Sequence, residues 1–318
     1  MIPTVSLDDV VARDPWTVDV VHTATRDIGL FYLDGGPGTA SHPFDISRRF
    51  FALPPADKRA LSISLSPAYR GYVGVGEEST NGAADLKESF EFGKEDIPPA
   101  VADPPPYYRM YGGNQWPAEA LLPGFRAAIE AYSAHQARIG AAVVGALAAT
   151  LDQPAVLGRP DAPFGTELSS FARVIYYANP SGYADGARLA AHTDSGMVTV
   201  SVQDTPGLEA RTSSGEWIPV VPPDGCCVVF TGELLELWSR GYYRACVHRV
   251  HNASLARDRV SLITFFLPDL RSTLRPLTTA DSARLAGAVV PRGNSWLTDD
   301  GAAFVVGERE WARVGEIF

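Results

Sequence analysis

The chain has 318 residues, 46% hydrophobic and 20% charged, with 37 acidic against 27 basic side chains for a net charge of −10. That composition supplies a large buried core and argues against intrinsic disorder. The acidic balance, with no dense Lys/Arg cluster, argues against nucleic acid or an anionic membrane surface as a partner.

Residues 1 to about 60 are expected to mix a short opening strand with helices, and Asp27 to Leu33 reads as a strand entered through Gly29. Pro54 and Pro55 interrupt the chain. The stretch from Ser66 to Gly82, rich in Gly, Ser and Pro and containing Arg70-Gly71-Tyr72, reads as loop. After Pro117, apolar residues recur at Phe125, Ile129, Tyr132, Ile139, Val143, Leu147 and Leu151, a helical period that predicts a long amphipathic helix. Its most apolar part, Ile139 to Leu151, is too short to span a bilayer.

From Phe171 the pattern changes to short strand-like runs: Phe171 to Tyr177, Met197 to Gln203, Leu208 to Arg211, Trp217 to Val220, Cys226 to Phe230 and Val260 to Leu267. Turn dipeptides such as Pro206-Gly207, Ser214-Gly215 and Asp224-Gly225 separate them. Short strands punctuated this way predict an antiparallel sandwich or barrel inside an α+β chain. The adjacent Cys226 and Cys227 sit in one of these runs and read as small core residues, not as a disulfide framework. With no basic-then-apolar opening segment, the expected location is a reducing cytoplasm. One domain over 1–318 is expected: a mostly helical region 1–165, a sheet core 166–270 and a C-terminal segment 271–318.

Two motifs carry chemistry. In Ala191-His192-Thr193-Asp194-Ser195-Gly196, an extended chain would put His192 and Asp194 on one side and Thr193 on the other, so that an imidazole and a carboxylate converge. A His-x-Asp pair alone is common in proteins and is more often a turn or a cap. His248 is the candidate third ligand, with His251 as a rival that would face away from His248 in extended chain. Two histidines and one carboxylate on one face of an octahedron suit iron(II) and leave three positions open. The second motif is Arg259-Val260-Ser261, in which an arginine fork and a hydroxyl on one strand face suit a carboxylate clamp.

In order, these residues resemble the 2-oxoglutarate/iron(II) dioxygenases of the isopenicillin N synthase-like branch, which includes deacetoxycephalosporin C synthase and the flavonoid and gibberellin oxidases. The similarity is dense from His192 through Pro268, in His192-Thr193-Asp194-Ser195-Gly196, Pro206-Gly207-Leu208, Gly215-Glu216-Trp217-Ile218, Val221-Pro222-Pro223, Tyr243-Arg244, His248-Arg249-Val250, Arg259-Val260-Ser261 and Phe265-Phe266-Leu267-Pro268. Weaker echoes are Gly29-Leu30-Phe31-Tyr32, Arg70-Gly71-Tyr72, Asp85 to Phe90 and Arg173 to Tyr177. The resemblance implies a double-stranded β-helix, or distorted jelly roll, with surrounding helices and iron between its sheets. It implies His192, Asp194 and His248 as metal ligands, and Arg259, Ser261 and Tyr177 as contacts to 2-oxoglutarate. Arg70, Tyr72, Phe90, Phe92 and Arg173 would face the substrate. Ala178 and Ile175 depart from the family's pattern around Tyr177.

The activity so implied is oxidation of an unactivated C–H bond of a small-molecule metabolite, hydroxylation first among desaturation and ring closure, using Fe(II), 2-oxoglutarate and O2 and releasing succinate and CO2. An isopenicillin N synthase-type oxidase that needs no 2-oxoglutarate, and a non-catalytic jelly-roll binding protein, are the alternatives. Substrate identity and oligomeric state are not legible.

Overall fold

In the computed structural model, residues 1–35, 42–80, 82–97, 100–178, 187–251, 257–286 and 302–317 are described. The elements run β1 (Thr4–Ser6), α1 (Leu7–Ala12), α2 (Pro15–Asp27), β2 (Leu30–Asp34), α3 (His42–Phe51), α4 (Pro55–Arg59), β3 (Gly71–Val73), β4 (Ser79–Thr80), β5 (Ala83–Ala84) and β6 (Glu88–Gly93). A long helix follows, α5 (Phe125–Thr150), and then β7 (Ser169–Tyr177), β8 (Ala187–His192), β9 (Val198–Gln203), β10 (Leu208–Arg211), β11 (Trp217–Pro219) and β12 (Cys226–Thr231). The chain continues through α6 (Glu233–Trp238), β13 (His248–His251), β14 (Arg259–Leu267), β15 (Thr273–Leu274), β16 (Phe304–Val305) and α7 (Val306–Ile317).

An eight-stranded sheet in the order β1-β2-β12-β9-β14-β7-β6-β3 faces a four-stranded sheet in the order β11-β10-β13-β8. Pairing is antiparallel except between β1 and β2. Strand alternation explains why this makes three layers. On β12, Cys227 and Val229 enter the core cluster shared with the helices, whereas Cys226, Val228 and Phe230 enter a second cluster with Leu208, Ala210 and Val250 of the smaller sheet. Strands β7 and β14 do the same: Val174, Val260, Leu262 and Phe266 face the helices, and Ile175, Tyr177 and Ile263 face the smaller sheet. The adjacent cysteines thus look in opposite directions, and all three cysteines are free and buried.

Helix α5 supplies the outer layer. Phe125, Ile129, Tyr132, Ile139, Val143 and Leu147 form its buried stripe, as the period of the sequence predicts. It lies close against the large sheet at Gly140, where an added Cβ would come within 2.6 Å of the Phe266 ring. Gly140→Val is therefore expected to destabilise the fold by about 1–3 kcal/mol through overpacking, read as a lower urea midpoint with an unchanged m-value.

The region 1–165 is less helical than expected. It contributes β1, β2, β3 and β6, half the strands of the large sheet. Gly71-Tyr72, read as loop, is strand β3, because its short span pairs with β6 at the sheet edge, a partner that local sequence does not announce. Among the described residues, no helix is long and apolar enough to cross a membrane.

Candidate active site

A cavity of about 350 Å³ opens between the two sheets. His192 ends β8 and His248 begins β13, and the two residues are direct cross-strand partners, which sets their rings 4.4 Å apart. Asp194 does not lie on a strand continuous with His192, as the sequence pattern predicts. Residues 193–197 cross from the small sheet to β9 of the large one, and the crossover turns Asp194 back toward both histidines. Its Oδ1 is 3.6 Å from His192 Nε2 and 3.7 Å from His248 Nε2. The three side chains offer ligand atoms all within 4.8 Å of one another. His251 stands outside this group and does not line the cavity, as the odd spacing from His248 requires.

The crossover is held from α6. Glu233 N–H donates to Asp194 O at 2.8 Å and Leu234 N–H to Ser195 O at 3.0 Å. This approach requires glycine at 232, since a Cβ there would lie 2.2 Å from Gly196 O and 2.9 Å from Asp194 O.

The donor set fits a cation. His192 Nδ1 sits 2.8 Å from Ala190 O, and His248 Nδ1 sits 3.1 Å from Cys246 O. Each imidazole thereby donates Nδ1–H to a carbonyl and turns the Nε2 lone pair toward Asp194. Burial lowers the His248 pKa despite the nearby Asp194 charge. Burial opposes ionisation of Asp194, but the charge of His248 and the hydrogen bond and charge of His192 outweigh it and hold its pKa below the usual carboxylate range. Asp194 Oδ2 is buried with no hydrogen-bond partner. A metal ion can take up the two imidazole Nε2 lone pairs and the carboxylate together, in place of the proton that a His–Asp hydrogen bond would otherwise hold between them. Donors that each lie about 2.1 Å from one ion can be up to about 4.2 Å apart, so the Asp–His separations admit it. Phe230 stacks on His248 at 4.7 Å and 11°, fixing that ring.

Arg259 and Ser261 occupy the same face of β14, deeper in the cavity. Arg259 is 1% exposed, with Nε donating to Thr205 O at 3.2 Å, Nη1 to Ser261 Oγ at 3.1 Å and Nη2 to Gln203 Oε1 at 2.7 Å. Burial lowers its pKa, against the charges of Tyr177 and Asp204. Tyr177, paired with Arg259 across β7 and β14, places its ring 5.3 Å from the guanidinium carbon, and burial raises its own pKa to about 12. Among the described residues no carboxylate forms an ion pair with Arg259. On β9 beside them, Ser201 presents a buried hydroxyl oxygen that also lacks a partner and lines the cavity. A dicarboxylate would answer all of these groups.

The remaining predicted residues divide by strand parity. Arg173 lines the cavity and pairs with Glu91 at 3.2 Å and Glu78 at 3.8 Å. Arg70 also lines it, buried, with its guanidinium carbon 4.8 Å from the Phe171 ring centroid. It is aimed by Tyr69, whose φ of 56° turns the chain sharply. Burial lowers the Arg70 pKa to about 10, against the charges of Glu91 and Glu95. Tyr72, Phe90 and Phe92 do not reach the cavity, which corrects the expectation that they face the substrate. Phe90 and Phe92 pair with Val174 and Ala172, on the helix-facing side of the large sheet, and Phe90 packs on Phe50 and Phe125. Tyr72 joins the same core and hydrogen-bonds Glu88.

The C-terminal helix is what the sequence reading misses. Glu310, Arg313 and Val314 of α7 line the cavity. Val306, Glu310 and Val314 fall four residues apart and mark one helix face, but nothing local says which surface that face covers.

Comparison with known proteins decides the family. Residues 2–119 match the N-terminal domain of the non-haem dioxygenases of morphine synthesis, and residues 169–268 match the 2OG-Fe(II) oxygenase superfamily. The 2-oxoglutarate-dependent dioxygenase citB of Monascus ruber is 35% identical over 82% of this chain and 81% of its own. This chain belongs to the 2OG-Fe(II) oxygenase superfamily. Homoarginine-6-hydroxylase 2-ODD-C23 of Glycine max is 29% identical over 86% of this chain and 84% of its own. The fold matches that of a full-length Neurospora crassa protein solved in complex with alpha-KG, at a TM-score of 0.76 and 23% identity over 99% of this chain and 96% of that one. The 2OG-Fe(II) oxygenase is thus a jelly-roll enzyme that uses Fe(II), 2-oxoglutarate and O2 and acts on a small molecule. Relatives named for their dependence on 2-oxoglutarate or for hydroxylation set aside both the oxidase that needs no 2-oxoglutarate and the non-catalytic binding protein.

Proposed function

We propose that His192, Asp194 and His248 hold the Fe(II), that Arg259 and Ser261 grip the distal carboxylate of 2-oxoglutarate with Tyr177 beside them, and that Arg70 and Arg173 border the substrate. The observation that carries this reading is the buried convergence of two Nε2 lone pairs on a carboxylate whose Oδ2 has no partner. Bound iron with 2-oxoglutarate and O2 supplies hydroxylation of an unactivated C–H bond, with succinate and CO2 released. The chain's part is to orient and to exclude water. Backbone carbonyls fix both imidazoles, β14 fixes the clamp, and the apolar residues Ile175, Leu189, Phe230 and Ile263 line the space between. A cavity of this size takes a small metabolite, and the Monascus and Glycine relatives support a metabolite hydroxylase, in line with natural-product chemistry. Three free, buried cysteines support a reducing, cytoplasmic setting.

Anaerobic titration with Fe(II) and 2-oxoglutarate is expected to give the visible metal-to-ligand charge-transfer band of the ternary complex. His248→Ala is expected to lose it. A band that persists in that variant, or none in the wild type, would overturn the ligand assignment.

A further inference from the structure

Glu310 is an acid on the cavity wall that neither the metal nor the 2-oxoglutarate clamp uses. It is 6% exposed, and Ser195, next to Asp194, hydrogen-bonds its carboxylate. Its Oε1 atom is buried with no hydrogen-bond partner. The cations whose charge reaches it are otherwise engaged: Arg313 is ion-paired to Glu233, and Arg309 lies 5.4 Å from the Phe304 ring centroid. Glu233 also accepts from Thr193, so the face of α7 that carries Glu310 is pinned to the loop that carries Asp194. A carboxylate oxygen fixed in a cavity without a donor is costly unless a ligand brings one.

The carboxylate itself favours one kind of donor. Glu78, Asp85 and Glu91 also line the cavity, but they are already held by Lys87 and Arg173. A protonated nitrogen supplies both charge and hydrogen bonds, and in a cavity of low dielectric its attraction to a carboxylate exceeds that of a neutral N–H. Arg70, buried with its Nε lacking a partner, lines the same cavity beside Phe171. It is open to an anionic group at another point of the same cavity.

We propose that Glu310 binds an ammonium or guanidinium group of the substrate, so that this oxygenase acts on small molecules with a basic nitrogen, amino-acid-like ones with a carboxylate for Arg70 foremost. This rests on the assignment of the cavity as the oxygenase site. The test is succinate release by the iron- and 2-oxoglutarate-loaded enzyme over a panel of amines, guanidines and basic amino acids, each paired with an analogue that lacks the cationic nitrogen, such as butylguanidine with butylurea and N-acetyl-L-arginine with N-acetyl-L-citrulline. Cationic members are expected to stimulate turnover with kcat/KM at least about tenfold above their neutral partners. Glu310→Gln is expected to raise KM for the best cationic compound by about tenfold or more while keeping the Fe(II)/2-oxoglutarate band. Stimulation by neutral or anionic members alone, by none of the cationic ones, or an unchanged KM in the variant overturns the proposal. Absence of the band in the wild type would instead overturn the site assignment on which it rests.

Discussion

Asp194→Ala is expected to abolish iron binding and turnover while the metal-free protein still folds, with a modestly lower melting temperature. Loss of an outer partner of a metal ligand already costs up to about a hundredfold in affinity or activity, and Asp194 is the one anion among the three converging donors. Without it, two neutral imidazoles remain, their Nδ1 atoms still held by Ala190 O and Cys246 O. The metal-free protein also loses some stability, because the histidine contacts that hold the Asp194 pKa down favour the folded state, although its unpartnered Oδ2 offsets part of that loss. The measurement is thermal unfolding under anaerobic conditions with and without Fe(II). At a free metal concentration a hundredfold above Kd, the wild type should gain about 2.7 kcal/mol by mass action, and the variant nothing. An iron-dependent rise in the variant's melting temperature would show that the ion sits elsewhere.

Much of this site was legible because strands write their orientation into the sequence. The two-residue period that places Arg259 and Ser261 on one face of β14 also separates Cys226 from Cys227 and turns Ile175 and Tyr177 inward. The helical stripe of α5 was legible for the same reason. What failed were inferences that need to know which way a strand faces or which strand lies next to it. Phe90 and Phe92 alternate correctly along β6, but only the pairing with β7 shows that their side of the sheet meets α5. Gly71-Tyr72 reads as loop because a three-residue edge strand draws its stability from a partner, not from local propensity. Asp194 reached the site by a crossover between sheets where the sequence pattern predicted a single extended strand. Glu310 reached it through a helix whose docking surface is set by tertiary contacts such as the Arg313–Glu233 pair.

Arg259→Lys is expected to raise KM for 2-oxoglutarate strongly while sparing kcat at saturating co-substrate. Arginine presents a rigid fork already organised by Thr205 O, Gln203 Oε1 and Ser261 Oγ. Lysine keeps the charge but is a flexible point donor that cannot hold those partners and a carboxylate together. Two charge-assisted hydrogen bonds lost or misaligned amount to about 3 kcal/mol, roughly a 150-fold rise in KM. The arginine also sits buried without a carboxylate partner among the described residues, so its binding energy is released only when the co-substrate arrives. For that reason the wild type should gain more thermal stability than the variant from 2-oxoglutarate. Steady-state kinetics at varied 2-oxoglutarate, with substrate and Fe(II) saturating, separates the effects. If kcat fell with KM unchanged, Arg259 would act on the chemical step or on the fold, and the clamp would have to be sought elsewhere on the cavity wall.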